Sequence, residues 1–409
     1  MKTILLFLLS ILFTNNLQAQ WVHQNSGVNV GLSDVYCITE DMVIVVGGMG
    51  TILKTTDGGE NWIQKTSNTT EHLNKVKFAN STTGYTIGEN GTLLKTIDTG
   101  ENWTIIDTSE TVELYGLSCV NEDIVYISGQ NGLIKRTEDG GVTWVTQNTG
   151  LTEAINNIQF INSDLGFATT TWEYPDNSYL LKTDDGGDNW QTINSFALHL
   201  ESLLFNNENQ GYLGSSMLLK TDDGGASFID TWYNCFANIF SQFSTQPDTI
   251  WTAGFDLMAN GGCIGKGITV GSGHDDWTWT FSGAYYEWYR AVHFANETTG
   301  YVVGFNNNDN TGLIKKNSTG INVLSYDEQI SQDTLIIQPN PVSDVLNISF
   351  NKNAPIDIVI INTTGNKIYK KYFVNKKSIS LNLSFLLAGI YYLKIQSEGQ
   401  IRTKKIIKL

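Results

Sequence analysis

Short apolar and polar alternations recur from residue 21 to residue 324. A typical stretch reads V-K-F at 76–78, G-Y-T-I-G at 84–88 and G-T-L-L-K at 91–95, with turn residues between the segments. Period-two alternation bounded by Gly, Asn and Asp predicts short antiparallel strands. With the aromatic segment that follows, each repeat supplies four strands, which is typical of one blade of a β-propeller.

The third strand of the repeat predicts the number of blades. It is found seven times and ends at Lys54, Lys95, Lys135, Lys182, Lys220, Lys266 and Lys315. We therefore expect an all-β fold whose body, residues 20–324, is a seven-bladed propeller.

A turn motif follows five of these strands. It reads T-T-D-G-G-E-N-W at 55–62, T-I-D-T-G-E-N-W at 96–103, T-E-D-G-G-V-T-W at 137–144, T-D-D-G-G-D-N-W at 183–190 and T-D-D-G-G-A-S-F at 221–228. Asp and Thr side chains accept hydrogen bonds from backbone N–H groups in such turns, and glycine supplies the left-handed conformation. We therefore expect structural roles for Asp57, Asp98, Asp139, Asp185 and Asp223.

The ring needs one more outer strand to close. Residues 21–23 (W-V-H) resemble the aromatic strand without its turn motif and can complete the seventh blade, while residues 321–324 compete for the same place. The motifs of the sixth and seventh repeats have decayed, at 269–277 and 316–320.

The N-terminus has the pattern of a secretory signal peptide. Lys2 precedes the apolar run 4–13, and Ala19 offers a small residue before a cleavage site. The alternative, a membrane anchor, is disfavoured because the run is shorter than the roughly 20 residues that span a bilayer. We expect residues 1–19 to be removed.

The C-terminal segment differs from the body in charge. Residues 1–330 contain 14 Lys+Arg and 37 Asp+Glu, whereas residues 331–409 contain 11 and 4. Such an acidic body disfavours binding to nucleic acid or anionic membranes. After a linker at 325–334, alternating segments such as 356–361 and 391–395 predict a small Ig-like β-sandwich over 335–409.

Cysteine chemistry gives no clear site. Cys37 and Cys119 occupy equivalent places in repeats that are not neighbours and are expected to be buried thiols, while a Cys235–Cys263 disulfide is left open. No spacing typical of a metal site is present, and neither a metal nor a cofactor is expected.

These motifs resemble two known families. The pairing of G-T-[IL]-L-K-T with x-D-x-G-x-x-W is similar to the Asp-box, or bacterial neuraminidase repeat, propellers, and most closely to the photosystem II stability/assembly factor-like proteins. The motifs Q-P-N-P at 338–341, L-L-A-G-I-Y-Y-L-K-I at 386–395 and the basic end resemble the type A sorting domain of the type IX secretion system. An adhesive Ig-like module is the alternative. The resemblance implies export through the periplasm to the medium or the outer cell surface, with the secretion machinery as partner of residues 335–409.

Sialidase chemistry is excluded because that site needs three arginines, and only Arg136 and Arg290 precede residue 331. Other propeller hydrolases need a pair of carboxylates, which the many acidic loop residues do not single out. We expect no catalytic residues, with a glycan-active hydrolase as the alternative.

The open face of the propeller, opposite the Asp-box turns, is the expected binding face. Aromatic residues concentrate there in the insertion 170–178 and in Y-Y-E-W-Y-R at 285–290. The tentative site consists of Trp172, Glu173, Tyr174, Tyr286, Glu287, Trp288 and Arg290, and packing between blades is the alternative role for these rings. The sequence thus predicts an exported, non-catalytic recognition or scaffold propeller for a glycan or protein.

Overall fold

The computed structural model describes residues 21–171, 177–231, 237–246, 249–256, 261–270, 274–281, 286–318, 336–338, 342–362, 367–397 and 400–409. The chain divides into two compact units, residues 1–326 and 327–409. All regular elements of the described residues are strands.

In the first unit, one strand precedes seven sets of short strands. They are β1 (Val22–Asn25); β2 (Leu32–Cys37), β3 (Val43–Gly47), β4 (Ile52–Thr55), β5 (Ile63–Lys65); β6 (Leu73–Phe78), β7 (Gly84–Gly88), β8 (Leu93–Thr96), β9 (Thr104–Ile105); β10 (Leu114–Cys119), β11 (Val125–Gly129), β12 (Ile134–Thr137), β13 (Val145–Gln147); β14 (Ile155–Phe160), β15 (Gly166–Thr170), β16 (Ser178–Thr183), β17 (Gln191–Phe196); β18 (Ser202–Phe205), β19 (Gly211–Gly214), β20 (Leu218–Thr221), β21 (Ile229–Asp230); β22 (Ala237–Gln246), β23 (Thr249–Asp256), β24 (Gly261–Val270), β25 (His274–Phe281); and β26 (Glu287–Phe294), β27 (Thr299–Asn306), β28 (Thr311–Ser318). The described residues form seven four-stranded antiparallel sheets, which confirms the predicted propeller fold.

The N-terminal strand completes the last sheet. β1 is the outer strand beside β28, with Val22 opposite Lys316 and Asn25 opposite Leu313. Trp21 is 2% exposed and meets Trp251 and Phe294 edge-on, with ring centroids 5.8 and 5.9 Å apart. The chain therefore closes its ring with its N-terminal segment; the competing residues 321–324 lie outside the described residues.

The five intact turn motifs have one geometry. In the first, Thr55 Oγ1 accepts a hydrogen bond from the N–H of Gly59 at 2.9 Å, and Asp57 accepts bonds from both the backbone and the side-chain amide of Asn61 at 2.9 and 2.8 Å. The same backbone bond recurs at Asp98, Asp139, Asp185 and Asp223, with a hydroxyl in place of the side-chain amide at Asp139 and Asp223. These hydrogen bonds hold the pKa of Asp57 and Asp139 at about 2. The carboxylates thus replace missing backbone partners in the turn.

A cation at the end of the third strand joins each of several sheets to the next. Lys95 lies over the ring of Tyr85 in its own sheet, 5.3 Å from its centroid, and donates to the carbonyl of Gly140 in the next turn motif at 2.7 Å. Lys316 makes the equivalent bond, also 2.7 Å long, to Gly58 in the first motif. That hydrogen bond links the last sheet to the first and so contributes to ring closure.

The two ends of the ring differ. The backbone of Gly50, between β3 and β4, donates to Glu71, which precedes β6. Gly58, in the turn motif, donates to Asp41, between β2 and β3. We call the first end the mouth face and the end with the turn motifs the box face.

The second unit contains β29 (Ile336–Gln338), β30 (Val345–Asn362), β31 (Lys367–Asn382), β32 (Gly389–Ser397) and β33 (Gln400–Lys408). The long strand β30 pairs with β29, β31 and β32, and its register with β31 shifts between Ser349 and Ala354. One apolar core, built on residues such as Ile348, Ile358 and Leu393, serves the whole unit. All five strands therefore belong to one hydrogen-bonded sheet with irregularities.

Candidate functional site at the mouth of the channel

The innermost strands of all seven sheets enclose a channel. The cavity is about 350 Å³ in volume and is lined by residues of β2, β6, β10, β14, β18, β22 and β26. Residues two apart on a strand face the same way, so each strand presents alternate side chains to this space. A cavity of this size suits a small ligand or the end of a larger one.

Polar side chains in the channel wall bond to the neighbouring innermost strand. Each receives a backbone N–H: Asp34 from Val76 at 2.9 Å, Ser118 from Phe160 at 2.9 Å, Ser241 from Val292 at 3.2 Å and His293 from Cys37 at 3.2 Å. The inner edge of a sheet would otherwise leave these donors unpaired, which is costly in a buried position. These residues are therefore explained by the fold.

His293 makes the hydrogen bond of this kind that joins the last sheet to the first. Its ring lies 4.5 Å from that of Tyr36 and 4.2 Å from that of Phe243. Burial, together with the positive charge of Lys77, holds the pKa of His293 well below its ordinary value of 6.5. The imidazole is consequently neutral at physiological pH, as its role as an acceptor requires.

A ring of β-bulges surrounds the mouth. The register slips by one residue at the start of six of the described innermost strands, and the extra residues are Ser33, Asn74, Tyr115, Asn156, Phe240 and Arg290. Bulges redirect side chains and are common near binding sites. Glu201, just before β18, occupies the corresponding place in the fifth repeat. The mouth thus carries a mixed ring of polar, aromatic and charged residues.

Glycine makes these bulges possible. A Cβ on Gly304, in the strand opposite the bulge at Arg290, would lie 1.8 Å from the carbonyl oxygen of Trp288. At Gly47 the corresponding distance, to the carbonyl of Gly31, is 2.3 Å. Close backbone approach therefore requires glycine at Gly47 and Gly304.

The most prominent part of the ring is an Arg–aromatic cluster, defined by Phe240, Phe255, Trp288 and Arg290. The guanidinium carbon of Arg290 lies 4.7 Å from the ring centroid of Phe240 and 5.8 Å from that of Trp288. Trp288 also stacks on Phe255 at 4.3 Å. Desolvation lowers the pKa of Arg290, and the nearby Glu201 opposes that shift. A guanidinium held against rings is pre-organised for contact with a ligand.

A histidine–carboxylate pair lies next to this cluster in the fifth repeat. His199 Nδ1 is 2.9 Å from Glu201 Oε1, and this hydrogen bond raises the pKa of His199. Both side chains are partly exposed, so the pair adds a pH-sensitive charge to the mouth.

Glu287 is placed differently from its predicted neighbours. Its side chain is buried, and Oε2 accepts hydrogen bonds from Lys315 Nζ at 2.8 Å and from the hydroxyl of Tyr289 at 2.7 Å. The carboxylate is thus engaged within the seventh sheet. Trp288 is partly buried, while Tyr286, two residues before it, is 52% exposed.

The other predicted site residues, Trp172, Glu173 and Tyr174, lie outside the described residues, and their place in a site stays a prediction. Cys235 also lies outside them, whereas Cys37 and Cys263 are buried thiols. Among the residues that the structure describes, no cluster of three metal-binding side chains occurs. No helix in this part of the chain has the length and hydropathy to cross a membrane.

Family models match both units. Residues 336–409 match the secretion system C-terminal sorting domain, and residues 11–97 and 96–200 match photosynthesis system II assembly factor YCF48. The chain is thus similar to YCF48 over residues 11–200 and to the secretion sorting domain over residues 336–409. Both predicted resemblances are thereby confirmed, and the sorting domain indicates export to the cell surface or the medium.

Solved structures show the same fold at low identity. A structure described as YCF48 bound to D1 peptide is 18% identical, with a TM-score of 0.58, and the match covers 73% of this chain and 97% of the other. YCF48 from Cyanidioschyzon merolae is 17% identical, with a TM-score of 0.56 and coverage of 73% and 98%. The GH74 xyloglucanase from Xanthomonas campestris is 11% identical, with a TM-score of 0.55 and coverage of 82% and 60%. None of the curated proteins matches the chain.

Sequence reasoning missed the bulge ring and the channel. The ring has a partial signal in the sequence, a glycine at the end of the second strand in the first three repeats. Lys75 and Lys77, which line the channel, lie two residues apart in the ordinary strand pattern K-V-K at 75–77, and nothing in that pattern reports their surroundings.

Proposed function

We propose that this chain is an exported, non-catalytic recognition propeller that binds an extracellular protein segment, or a glycan, at its mouth face. The observation that carries the proposal is the Arg–aromatic cluster, together with the exposed Tyr286 two residues before Trp288. Arg, Trp and Tyr are the residues that dominate binding energy at protein interfaces. The rings of Trp and Tyr also suit stacking on sugars.

A protein ligand is favoured over a glycan. YCF48, which shares the fold, has been solved with a bound peptide, so a propeller of this type can hold a chain segment. The alternative, a glycan-active hydrolase, draws on the GH74 propellers, which are related by fold alone. In the described part of the mouth, Glu201 is paired with His199 and Glu287 with Lys315, and such engaged carboxylates favour binding over catalysis.

The test is a binding screen of the full mature chain on peptide and glycan arrays, with analysis of released products. We expect binding without turnover, and steady product release would establish the hydrolase instead. For the best ligand, Trp288→Ala and Arg290→Gln should each weaken binding at least about tenfold.

The matched control is Val142→Ala, which removes an apolar side chain that is 81% exposed on the box face. Melting curves of each variant separate lost recognition from lost folding. Equal weakening by the control, or wild-type affinity of both mouth variants, would contradict the proposal.

A further inference from the structure

Two lysines of the second repeat line the channel without a counter-ion. Lys75 and Lys77 both border the cavity, whereas Val76 between them is fully buried on the other side of the strand. Within the described residues, neither amine makes a hydrogen bond or an ion pair. Lys77 lies 5.9 Å from the ring centroid of Tyr36, near the outer limit of a cation–π contact.

This arrangement is unfavourable for the protein alone. Two like charges two residues apart on one strand repel each other, and partial burial removes the water that would solvate them. Burial is the main cause that lowers the pKa of Lys77, and Lys75 lowers it further, whereas Asp34 raises it. The unpaired lysines are also exceptional in a body this rich in Asp and Glu.

Asp34 is the acidic group of the channel wall, but it does not neutralise the pair. Its Oδ2 accepts the N–H of Val76, and no ion pair joins it to either lysine among the described residues. The other titratable groups near Lys77 do not supply the missing charge either: burial keeps the imidazole of His293 neutral and raises the pKa of the Cys119 thiol to about 12. The wall therefore has an excess of positive charge that a bound anion would satisfy.

We propose that the channel binds an oxyanion, a carboxylate, sulfate or phosphate group, held by the amines of Lys75 and Lys77. The group belongs either to a free small anion or to the carboxyl end of a chain that enters from the mouth. The cavity of about 350 Å³ admits both. This site is separate from the Arg–aromatic cluster and does not depend on the function proposed for it.

The test is isothermal titration calorimetry of the full mature chain at constant ionic strength. Three probes are used: inorganic sulfate, pentaglycine with a free carboxyl end, and pentaglycine amide. We expect sulfate to bind with one-to-one stoichiometry. Lys75→Gln and Lys77→Gln should each weaken binding by about tenfold or more, as expected for loss of a charge-assisted hydrogen bond. Asp34→Asn, which removes the opposing charge but keeps an acceptor oxygen, should strengthen it.

Lys371→Gln is the control, because it removes the same charge from an exposed position of the second unit. Arg290→Gln should also leave sulfate binding unchanged, which distinguishes this site from the mouth cluster. If Lys77→Gln fails to fold, Lys75→Gln and Lys77→Arg still test the claim. Lys77→Arg keeps the positive charge and should retain sulfate binding.

The two pentaglycine probes identify the source of the anion. Binding of free but not amidated pentaglycine points to a chain end, and binding of sulfate alone points to a small free anion. The proposal is overturned if no probe binds, or if Lys371→Gln weakens binding as much as the channel variants do.

Discussion

Replacement of Trp21 by alanine tests whether the N-terminal strand closes the ring. The indole is 2% exposed and packs edge-on against Trp251 and Phe294. Removing a buried Trp side chain costs about 3–5 kcal/mol through lost transfer free energy and a residual cavity. Set against a typical domain stability of about 5–15 kcal/mol, this is a large loss.

The neighbouring residue supplies the control. Val22 lies on the same strand but is 48% exposed, so Val22→Ala should cost less than about 1 kcal/mol. The assay is urea unfolding followed by circular dichroism, with the transitions of the two units fitted separately because two-state analysis applies to single domains. A cost below about 1 kcal/mol for Trp21→Ala, or equal costs for both variants, would refute closure by this strand.

Three further predictions concern pH, the turn motifs and export. Because His293 has a folded-state pKa below its unfolded value, stability should fall as pH drops below about 6.5, by up to about 1.4 kcal/mol per pH unit, and His293→Gln should reduce this slope. His199 has a raised pKa and therefore adds stability as pH falls, so the pH dependence is measured in a His199→Gln background. If His293→Gln leaves the slope of stability against pH unchanged in that background, the role of His293 is contradicted. Asp57→Ala should lower the melting temperature without changing ligand preference, and Asp57→Asn should lower it less; loss of binding at an unchanged melting temperature would count against a structural role. Removal of residues 335–409 should leave a folded propeller in the periplasm, and normal amounts of truncated protein in the medium would disprove the sorting role.

The propeller was predictable because its repeat encodes local structure. Thr55, Asp57 and the glycines after them satisfy one turn by themselves, so the motif keeps its meaning in every copy. The place of Trp21 was also readable, since it resembles the aromatic strand of the other repeats. In such cases the place of a residue within the repeat indicates its partners, whether these lie a few positions away, as for Asp57, or at the other end of the chain, as for Trp21.

The site was harder to predict because its contacts join residues that are far apart in the sequence. The sequence predicts that Glu287 contacts a ligand together with Trp288 and Arg290, and this stays a prediction, although the side chain of Glu287 is buried. Glu287 meets Lys315, 28 residues away in sequence, whereas Arg290 meets Phe240 of the preceding sheet. A linear pattern reports strand periodicity and does not report which ring will lie beside which charge.

Site-specific photocrosslinking tests the central claim, recognition at the mouth face, most directly. A photoreactive amino acid replaces Tyr286 on the mouth face or, in a matched variant, Val142 on the box face, and the exported protein is irradiated in its native surroundings. The account predicts a discrete crosslinked product from position 286 that Arg290→Gln abolishes, and none from position 142. A product from position 142 alone, or equal products from both positions, would contradict recognition at the mouth.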